Sequence, residues 1–517
     1  MARHAETNSN VSRRHFLGGT VAGVAAGAWG GALTGVAQAQ TAVQEIRTDV
    51  VICGSGIGGL TAAVRAQQAG ASVIVLEKAY EPGGTTVHSE GVVWTSESYE
   101  QIRETAPHGD PVVQRTIFDN LPRAFDFYDD LGAPLGAGRP GSTRSRQIPP
   151  VAWVNFMVDE FERGGGTLMV ETAMLRLLTN RQYEVIGVLA EGEQGLIRIL
   201  ANAVIVATGG WAGSAQLVTQ NITRYFGSLH QRNASFGGRK PLLTGDGFWA
   251  ASQIGAAPTE EGWDSFYGHG MPARPTQQMK NPLTNYSTYH GNWSVVVNLR
   301  GRRFADETQG KQDGPPRGGG EQLINQEMAR QPEATSVYIW DEPINARRAC
   351  AACGLGDIDK FVAFKNIGGA VATANTLQEL AKQMEAWGRG IPAEVVGQQL
   401  DEYNQAAENG KAWALPVPKT ITQQAVPLQQ PPYYAVLVQT GITATYGGLR
   451  VNALGQVLSR SLRPIRGLYA AGVDIGNHSN YVYLGNLCVG AAFGYISGPN
   501  AAKQPDPTGG WETGPLT

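Results

Sequence analysis

The sequence predicts an α/β fold built on a central parallel sheet. Two observations predict it. An apolar run, Val50 to Ile52, breaks into glycines at Gly54, Gly56 and Gly59, and a helical pattern follows from Leu60. A second apolar strand, Ser72 to Glu77, comes next and ends in an acid about 20 residues after the glycines. Strand, Gly-x-Gly-x-x-Gly and helix together make the dinucleotide fingerprint. Gly54 is expected to make the tight turn, Gly56 to admit a pyrophosphate, and Gly59 to let helix and strand pack closely. The helix start supplies free N–H groups and a positive dipole end for phosphates. Glu77 is placed to take ribose hydroxyls. The strand before, the helix after and the acid at this distance set the triplet apart from an ordinary glycine-rich βα turn.

The bounds set by composition agree. The chain has 517 residues, 42% of them hydrophobic and 16% charged, with a net charge of −3. That length allows about three domains, and the near-neutral charge gives no electrostatic case for nucleic acid. The 67 glycines exceed the usual share of ~7% and fall in recognisable turns, so they are read as close backbone approaches.

The N-terminal forty residues are read as separate from the fold. Ser12-Arg13-Arg14-His15-Phe16-Leu17 resembles a twin-arginine export signal. A Gly/Ala/Val stretch runs from Gly18 to Val36, and Ala37-Gln38-Ala39 offers a cleavage site. An N-terminal membrane anchor is the alternative. Thr20, Trp29 and Thr34 interrupt the run and favour a cleaved signal. No other stretch has ~20 consecutive apolar residues, so no stable membrane span is expected after cleavage.

Four cysteines are present. Cys53 and Cys488 read as core residues. Cys350 and Cys353 form a C-x-x-C that could close a disulfide in an oxidising compartment or be redox-active; without further ligands it is a poor metal site, and no metal is expected.

After Glu77 and Lys78 comes Gly83-Gly84-Thr85-Thr86-Val87-His88-Ser89, then Gly91 and Trp94. Paired glycines let the backbone lie against a flat ring, and the hydroxyls can donate to or accept from ring atoms. This turn resembles the flavin-contacting turn of the fumarate reductase/succinate dehydrogenase flavoprotein superfamily. Its Gly-Gly-Thr-Thr-x-x-Ser form is most similar to ketosteroid Δ1-dehydrogenases. The resemblance implies FAD, held non-covalently, because His88 is not at the position that carries a covalent flavin.

Helices are expected over Val112 to Leu131 and about Val151 to Arg163. Gly164 to Glu171 then steps back into the sheet, toward Ala173, another expected cofactor contact. Val185 to Ala190 and Leu196 to Leu200 alternate and predict a small antiparallel meander, ending in Ala203 to Val206 and Ala207-Thr208-Gly209-Gly210. That Ala-Thr-Gly-Gly is the superfamily's second signature and implies closure of the adenine side. Thr244 to Gly247, with Asp246, and a helix to Ile254 match it too.

Between Ala257 and Val426 the chain turns richer in polar residues and proline. Val295 to Glu307 resembles the superfamily's cap segment, and stretches near Thr376 and Leu400 resemble its paired cap helices. The chain then returns through Pro431 to Ala435 and Thr445-Tyr446-Gly447-Gly448. Gly467 to Gly472 resembles the last FAD strand, with the usual acid displaced to Asp474. Asn486 and Leu487 open an apolar helix whose N-terminus is expected to face the flavin and stabilise its reduced, anionic form.

The whole reads as a Rossmann-like FAD-binding domain, central parallel sheet plus small antiparallel meander, with an inserted α+β capping domain. The expected boundaries are 1–39 signal, 40–256 first FAD part, 257–426 cap and 427–517 second FAD part.

Flavin chemistry implies hydride exchange with carbon. Where fumarate reductases place a His there stand Thr443 and Ala444, and where they place an Arg before the last helix there stand Tyr481 to Leu484. Arg347 and Arg348 lie near, but out of register with, a cap arginine. The ketosteroid dehydrogenase comparison implies Tyr483 as the phenol polarising a ketone and Tyr289 as the base. Tyr446 is a further candidate, and His290 and His478 are alternative acids or bases, each also readable as structural. Leu487 replaces a glycine that donates its N–H, and no counterpart of that family's first catalytic Tyr is found.

Three readings follow. The first is an exported, periplasmic or extracellular FAD dehydrogenase acting on a CH–CH bond beside a ketone. Its expected partners are an apolar ketone or enone and a quinone or soluble carrier as electron acceptor or donor. The second is a reductase of an unsaturated acid or enone. The third is a flavin-loaded binding protein without catalysis.

Overall fold

The computed structural model describes residues 43–225, 242–273, 286–288, 290–308, 319–346 and 358–513. The export-signal region, Tyr289, Arg347, Arg348, Cys350 and Cys353 lie outside the described residues.

The first strand, Gln44–Cys53, runs through the middle of an eight-stranded sheet. Across the sheet the order is Gln456–Leu458, Pro464–Ala470, Gly195–Val206, Gln44–Cys53, Val73–Leu76 and Thr167–Met169. From Pro464–Ala470 to Thr167–Met169 every pairing is parallel. Val50, Val51 and Ile52 are fully buried, as a β-branched run in a parallel strand covered on both faces should be.

The helix after this strand spans Ile57–Gln68, so it starts at Ile57 rather than Leu60, with Gly56 extended at its N-cap. Gly59 is therefore inside the helix. A Cβ there would lie 1.9 Å from the Gly54 carbonyl oxygen, so only glycine allows this helix to touch its own turn.

The meander is Ala173–Thr179, Val185–Gly192 and Gly195–Val206. Leu196 to Leu200 and Ala203 to Val206, read as two pieces, form one strand. Its first part pairs antiparallel with Val185–Gly192, and the strand also runs parallel to Gln44–Cys53. The helices Pro111–Leu131 and Pro150–Arg163 fall where the apolar spacing predicts.

A second, antiparallel sheet has Gly270–Pro272, Tyr433–Thr440, Thr335–Trp340 and Val295–Asn298 in that order, and Val371–Ala374 also pairs with Tyr433–Thr440. Leu380 and Met384 of the helix Leu377–Glu385 and Leu400 of Ala393–Glu408 share its hydrophobic core with Val337 and Leu437. Its central strand, Tyr433–Thr440, lies beyond residue 426, where composition placed the return to the first sheet. The strand is apolar throughout, and nothing local says which sheet it joins.

The last helix, Leu487–Ala502, lies against Ile57–Gln68. Gly490, Gly494 and Gly498 face it at helical spacing. A Cβ at Gly494 would be 2.6 Å from Gly58 O, and one at Gly498 would be 2.4 Å from Ala62 O. No helix among the described residues is long and apolar enough to cross a membrane.

Candidate functional site

Where the central parallel strands end, a pocket opens. Ten of the predicted cofactor residues line it: Gly54, Gly56, Glu77, Lys78, Gly84, Thr85, Ala207, Thr208, Gly209 and Asp246. These ten come from five separate chain segments, and three of those follow central strands because parallel strands all point their C-terminal ends to one edge. Gly54 (φ +112°) leaves no space for a side chain, since a Cβ would sit 2.1 Å from Ala207 O. Gly56 differs. A Cβ there would meet only Thr86 Oγ1 at 3.5 Å and Gly83 O at 3.7 Å, which are ordinary contacts. Protein packing does not require this glycine, so the room in front of it remains for something else.

Glu77 is buried at the floor. Its carboxylate accepts from Ser55 N (3.1 Å), Ser55 Oγ (2.5 Å) and Ala79 N (2.8 Å), and so shapes the glycine turn as well as facing the pocket. Lys78 Nζ reaches Asp246 Oδ2 and Thr244 Oγ1, both at 2.8 Å. Asp474 does not line the pocket. It ties the wall together, accepting from Thr208 Oγ1 and Gly209 N at 2.9 Å each, while Thr208 Oγ1 accepts from Gly247 N at 2.9 Å. Burial pushes the Asp474 carboxyl up to about 7, against the pull of those donors, and the nearby Asp246 charge adds to the rise.

The Gly83-Gly84 turn has both glycines at positive φ and leads into a short helical turn, Gly84–His88. Thr86 Oγ1 accepts from Ile57 N (3.0 Å), joining this turn to the first helix. Ser89 Oγ donates to Thr86 O (2.7 Å) and accepts from Gly91 N (3.1 Å). Gly91 packs under Ile148 O. Ala173 sits between Thr172 and Met174, which line the pocket; Gly210 lies behind it against Thr445 Oγ1, and Gly472 turns at φ +72° after the last parallel strand.

The candidate reaction groups gather before the last helix, whose N-cap is Asn486 and first residue Leu487. Tyr483 is half-buried, stacked on Tyr267 and edge-on to Trp94 at 5.7 Å. Arg139 lies over the other ring, 3.9 Å from the Trp94 centroid. Enclosure by these groups raises the Tyr483 phenol well above its ordinary value; Tyr267 and Cys488 add to the rise and Arg139 opposes it. Tyr446 is wholly buried, and its hydroxyl has no hydrogen-bond partner among the described residues. Burial raises its pKa, with Tyr483 and Tyr267 contributing. His478 packs edge-on to Tyr446 and shares a 2.8 Å hydrogen bond with Gly485 O. Burial lowers it to about 4, so it is neutral at pH 7.

His290 is elsewhere. It is buried in the second core, edge-on to Trp340 at 4.5 Å, and burial lowers it to about 3. Glu307 grips Arg303 with both oxygens, at 2.8 and 2.5 Å, and accepts from Val296 N at 3.1 Å. Cys53 and Cys488 are free and buried.

Sequence reasoning missed Tyr267, His269 and Arg139. Tyr267 is in a two-residue strand, Phe266–Tyr267, that pairs with Ala444–Thr445, and His269 Nε2 is 3.1 Å from its hydroxyl. A strand so short leaves no periodic signal.

A family model described as FAD binding domain matches residues 49–127 and 131–486. The chain is 25% identical over 494 residues to an NADH:fumarate oxidoreductase from Klebsiella pneumoniae, covering 88% of this chain but only 48%, about half, of that relative's length. It is 25% identical over 591 residues to a 4-oxocyclohexanecarboxylate 2-dehydrogenase from Sinomonas cyclohexanicum, covering 89% of this chain and 96% of the relative. Among solved structures, a 3-ketosteroid Δ1-dehydrogenase from Sterolibacterium denitrificans matches 88% of this chain and 99% of its own, with a TM-score of 0.67 at 19% identity, which shows a common fold.

Proposed function

The chain belongs to the FAD binding domain family and is an FAD-dependent oxidoreductase acting on CH–CH bonds, and we propose that the bond it oxidises lies beside a ketone, as in a cyclic ketone or ketosteroid. We propose further that it is exported to the periplasm or the exterior by the twin-arginine route, carried by Arg13 and Arg14, and exchanges electrons with an external quinone or soluble carrier.

The residues present fit FAD. The open room at Gly56, beside the N-terminus of Ile57–Gln68, suits a diphosphate, and Glu77 at the strand end suits a ribose. Gly84 and Thr85 are assigned to the flavin end, with the N-terminus of Leu487–Ala502 as a positive dipole end. Bound there, FAD supplies a ring that accepts or returns a hydride.

The reading rests on Tyr483. Enclosed and protonated, it is a hydrogen-bond donor at neutral pH, suited to a substrate carbonyl oxygen. Tyr446, buried with its hydroxyl unpartnered among the described residues, is a second candidate donor near it. A polarised carbonyl acidifies the neighbouring C–H, and Tyr289 is assigned to take that proton. Among the relatives, the 4-oxocyclohexanecarboxylate 2-dehydrogenase favours a cyclic ketone.

Anaerobic mixing of the FAD-loaded enzyme with cyclohexanone or 4-oxocyclohexanecarboxylate tests this. Loss of the oxidised-flavin absorbance is expected. If no saturated ketone bleaches the flavin but acrylate or fumarate rapidly reoxidises the dithionite-reduced enzyme, the protein is a reductase of unsaturated acids. Silence in both directions leaves a flavin-binding protein.

A further inference from the structure

We propose that Gln322 and Gln326 are positioning residues for Tyr483: as a pair they fix the backbone two residues before it. The inference rests on the reading that Tyr483 holds the substrate carbonyl.

Both glutamines stand on the helix Gly319–Ala329, one turn apart and so on one face. Both are buried, Gln322 completely. Both donate Nε2 to the same acceptor, the Tyr481 carbonyl oxygen, Gln326 at 2.8 Å. Their own Oε1 atoms have no partner among the described residues, so each amide is turned to the carbonyl with its acceptor unsatisfied.

The residue they hold is unusual. Tyr481 has φ +61°, a left-handed conformation that a bulky side chain adopts only when its surroundings impose it. Its hydroxyl donates to Asp264 Oδ2 at 2.8 Å, and Arg330, directly after the helix, lies 3.7 Å from the same oxygen. One helix therefore controls Tyr481 at its carbonyl and, through Asp264, at its phenol. The turn that follows is closed by Val482 N to Asn480 O (2.7 Å) and Leu484 N to Ser479 Oγ (3.1 Å), which leaves Tyr483 little freedom once Tyr481 is set.

The helix belongs to the other sheet. Ile324 and Met328 are part of the second hydrophobic core, with Val337 and Val438. The glutamines thus carry a restraint from the second layer into the loop of the first. Plain packing of helix on loop is the competing account. It predicts lost stability but no special dependence on Tyr483.

The test is a double-mutant cycle in the full-length FAD-loaded enzyme. Gln322→Met and Gln326→Met keep the volume and remove the donors. The readout is reoxidation of dithionite-reduced flavin by 2-cyclohexenone, together with amide hydrogen exchange over residues 479–487. The pair of changes should slow reoxidation about 10- to 100-fold with FAD retained, as a displacement of order 1 Å does. In a Tyr483→Phe background the same changes should cost less than about twofold, because coupled residues do not add. Exchange should rise over 479–487 and not in Ile57–Gln68. Equal losses in both backgrounds, or unchanged exchange, overturn the proposal. Should the double variant fail to fold, the single variants each keep one donor and carry the same cycle. A Tyr483→Phe enzyme as fast as the parent sinks the reading of Tyr483 itself, and the exchange result then decides the placement alone.

Discussion

Tyr483 lies face to face with Tyr267, ring centroids 3.7 Å apart and planes 13° from parallel. The stack fixes the plane in which the Tyr483 hydroxyl can point, and the hydroxyl of Tyr267 is itself engaged with His269 at 3.1 Å. A phenol so placed can serve as a directed donor rather than a rotating one.

Tyr483→Phe is therefore expected to lower turnover by ~10²-fold or more while FAD stays bound, the scale of losing one donor to a developing oxyanion. Tyr267→Leu removes the stack and the contact with His269 but keeps the Tyr483 hydroxyl, and a smaller loss is expected, about 10-fold. Steady-state rates with flavin content measured on the same samples decide it. A Tyr483→Phe enzyme at parental rate removes the proposed role.

Gly56 and Gly59 should behave oppositely on substitution by alanine. At Gly59 the new methyl meets the Gly54 carbonyl, and apoprotein stability should fall by about 1–3 kcal/mol. At Gly56 the methyl finds room, so apoprotein stability should hold within about 0.5 kcal/mol. FAD affinity should nonetheless drop at least about tenfold, ~1.4 kcal/mol. Chemical denaturation of the apoproteins and FAD titration separate the two. Undiminished FAD binding by Gly56→Ala counts against the diphosphate assignment.

Asp474 predicts a pH dependence. Its carboxyl is raised from 3.8 to about 7 by burial, so between those values the folded state keeps a proton that the unfolded chain has lost. The unfolded state binds fewer protons in that window, and the contribution of this group to stability falls as pH rises from about 4 to 7, then levels. Asp474→Asn should flatten that slope in the apoprotein. An identical profile for variant and parent would falsify the assignment.

The Arg303–Glu307 pair, almost wholly buried, should be costly to break and cheap to replace. Glu307→Gln leaves a buried guanidinium without its partner and should cost about 3–5 kcal/mol, while Arg303→Met with Glu307→Gln should cost less than Glu307→Gln alone. Urea denaturation of the three proteins gives the comparison. A double variant weaker than the single would show that the pair stabilises in its own right.

Much of the first layer was legible because its signals are local. A β-branched run, three glycines and an acid at fixed distance need no tertiary information, and Gly54, Gly56, Glu77, Thr208 and Asp246 do line one pocket. Gly59 was legible in purpose, though the helix began earlier than its apolar pattern. The reaction side was less so. Tyr267 meets Tyr483 through a two-residue strand, and Arg139 arrives over Trp94 from another loop. Neither contact leaves a period or motif. Tyr433–Thr440 was hidden for a different reason: an apolar strand fits any sheet, and its choice is made by partners distant in sequence.

The glycine seam between Ile57–Gln68 and Leu487–Ala502 has a bearing on biosynthesis. The helix Ile57–Gln68, whose N-terminus is assigned to the diphosphate, is completed on its outer side by a segment far later in the sequence. A nascent chain stopped before Leu487 would have its nucleotide turn made but unsupported. Cofactor capture should then wait until Leu487–Ala502 has been made, and a protein truncated before that helix should emerge colourless.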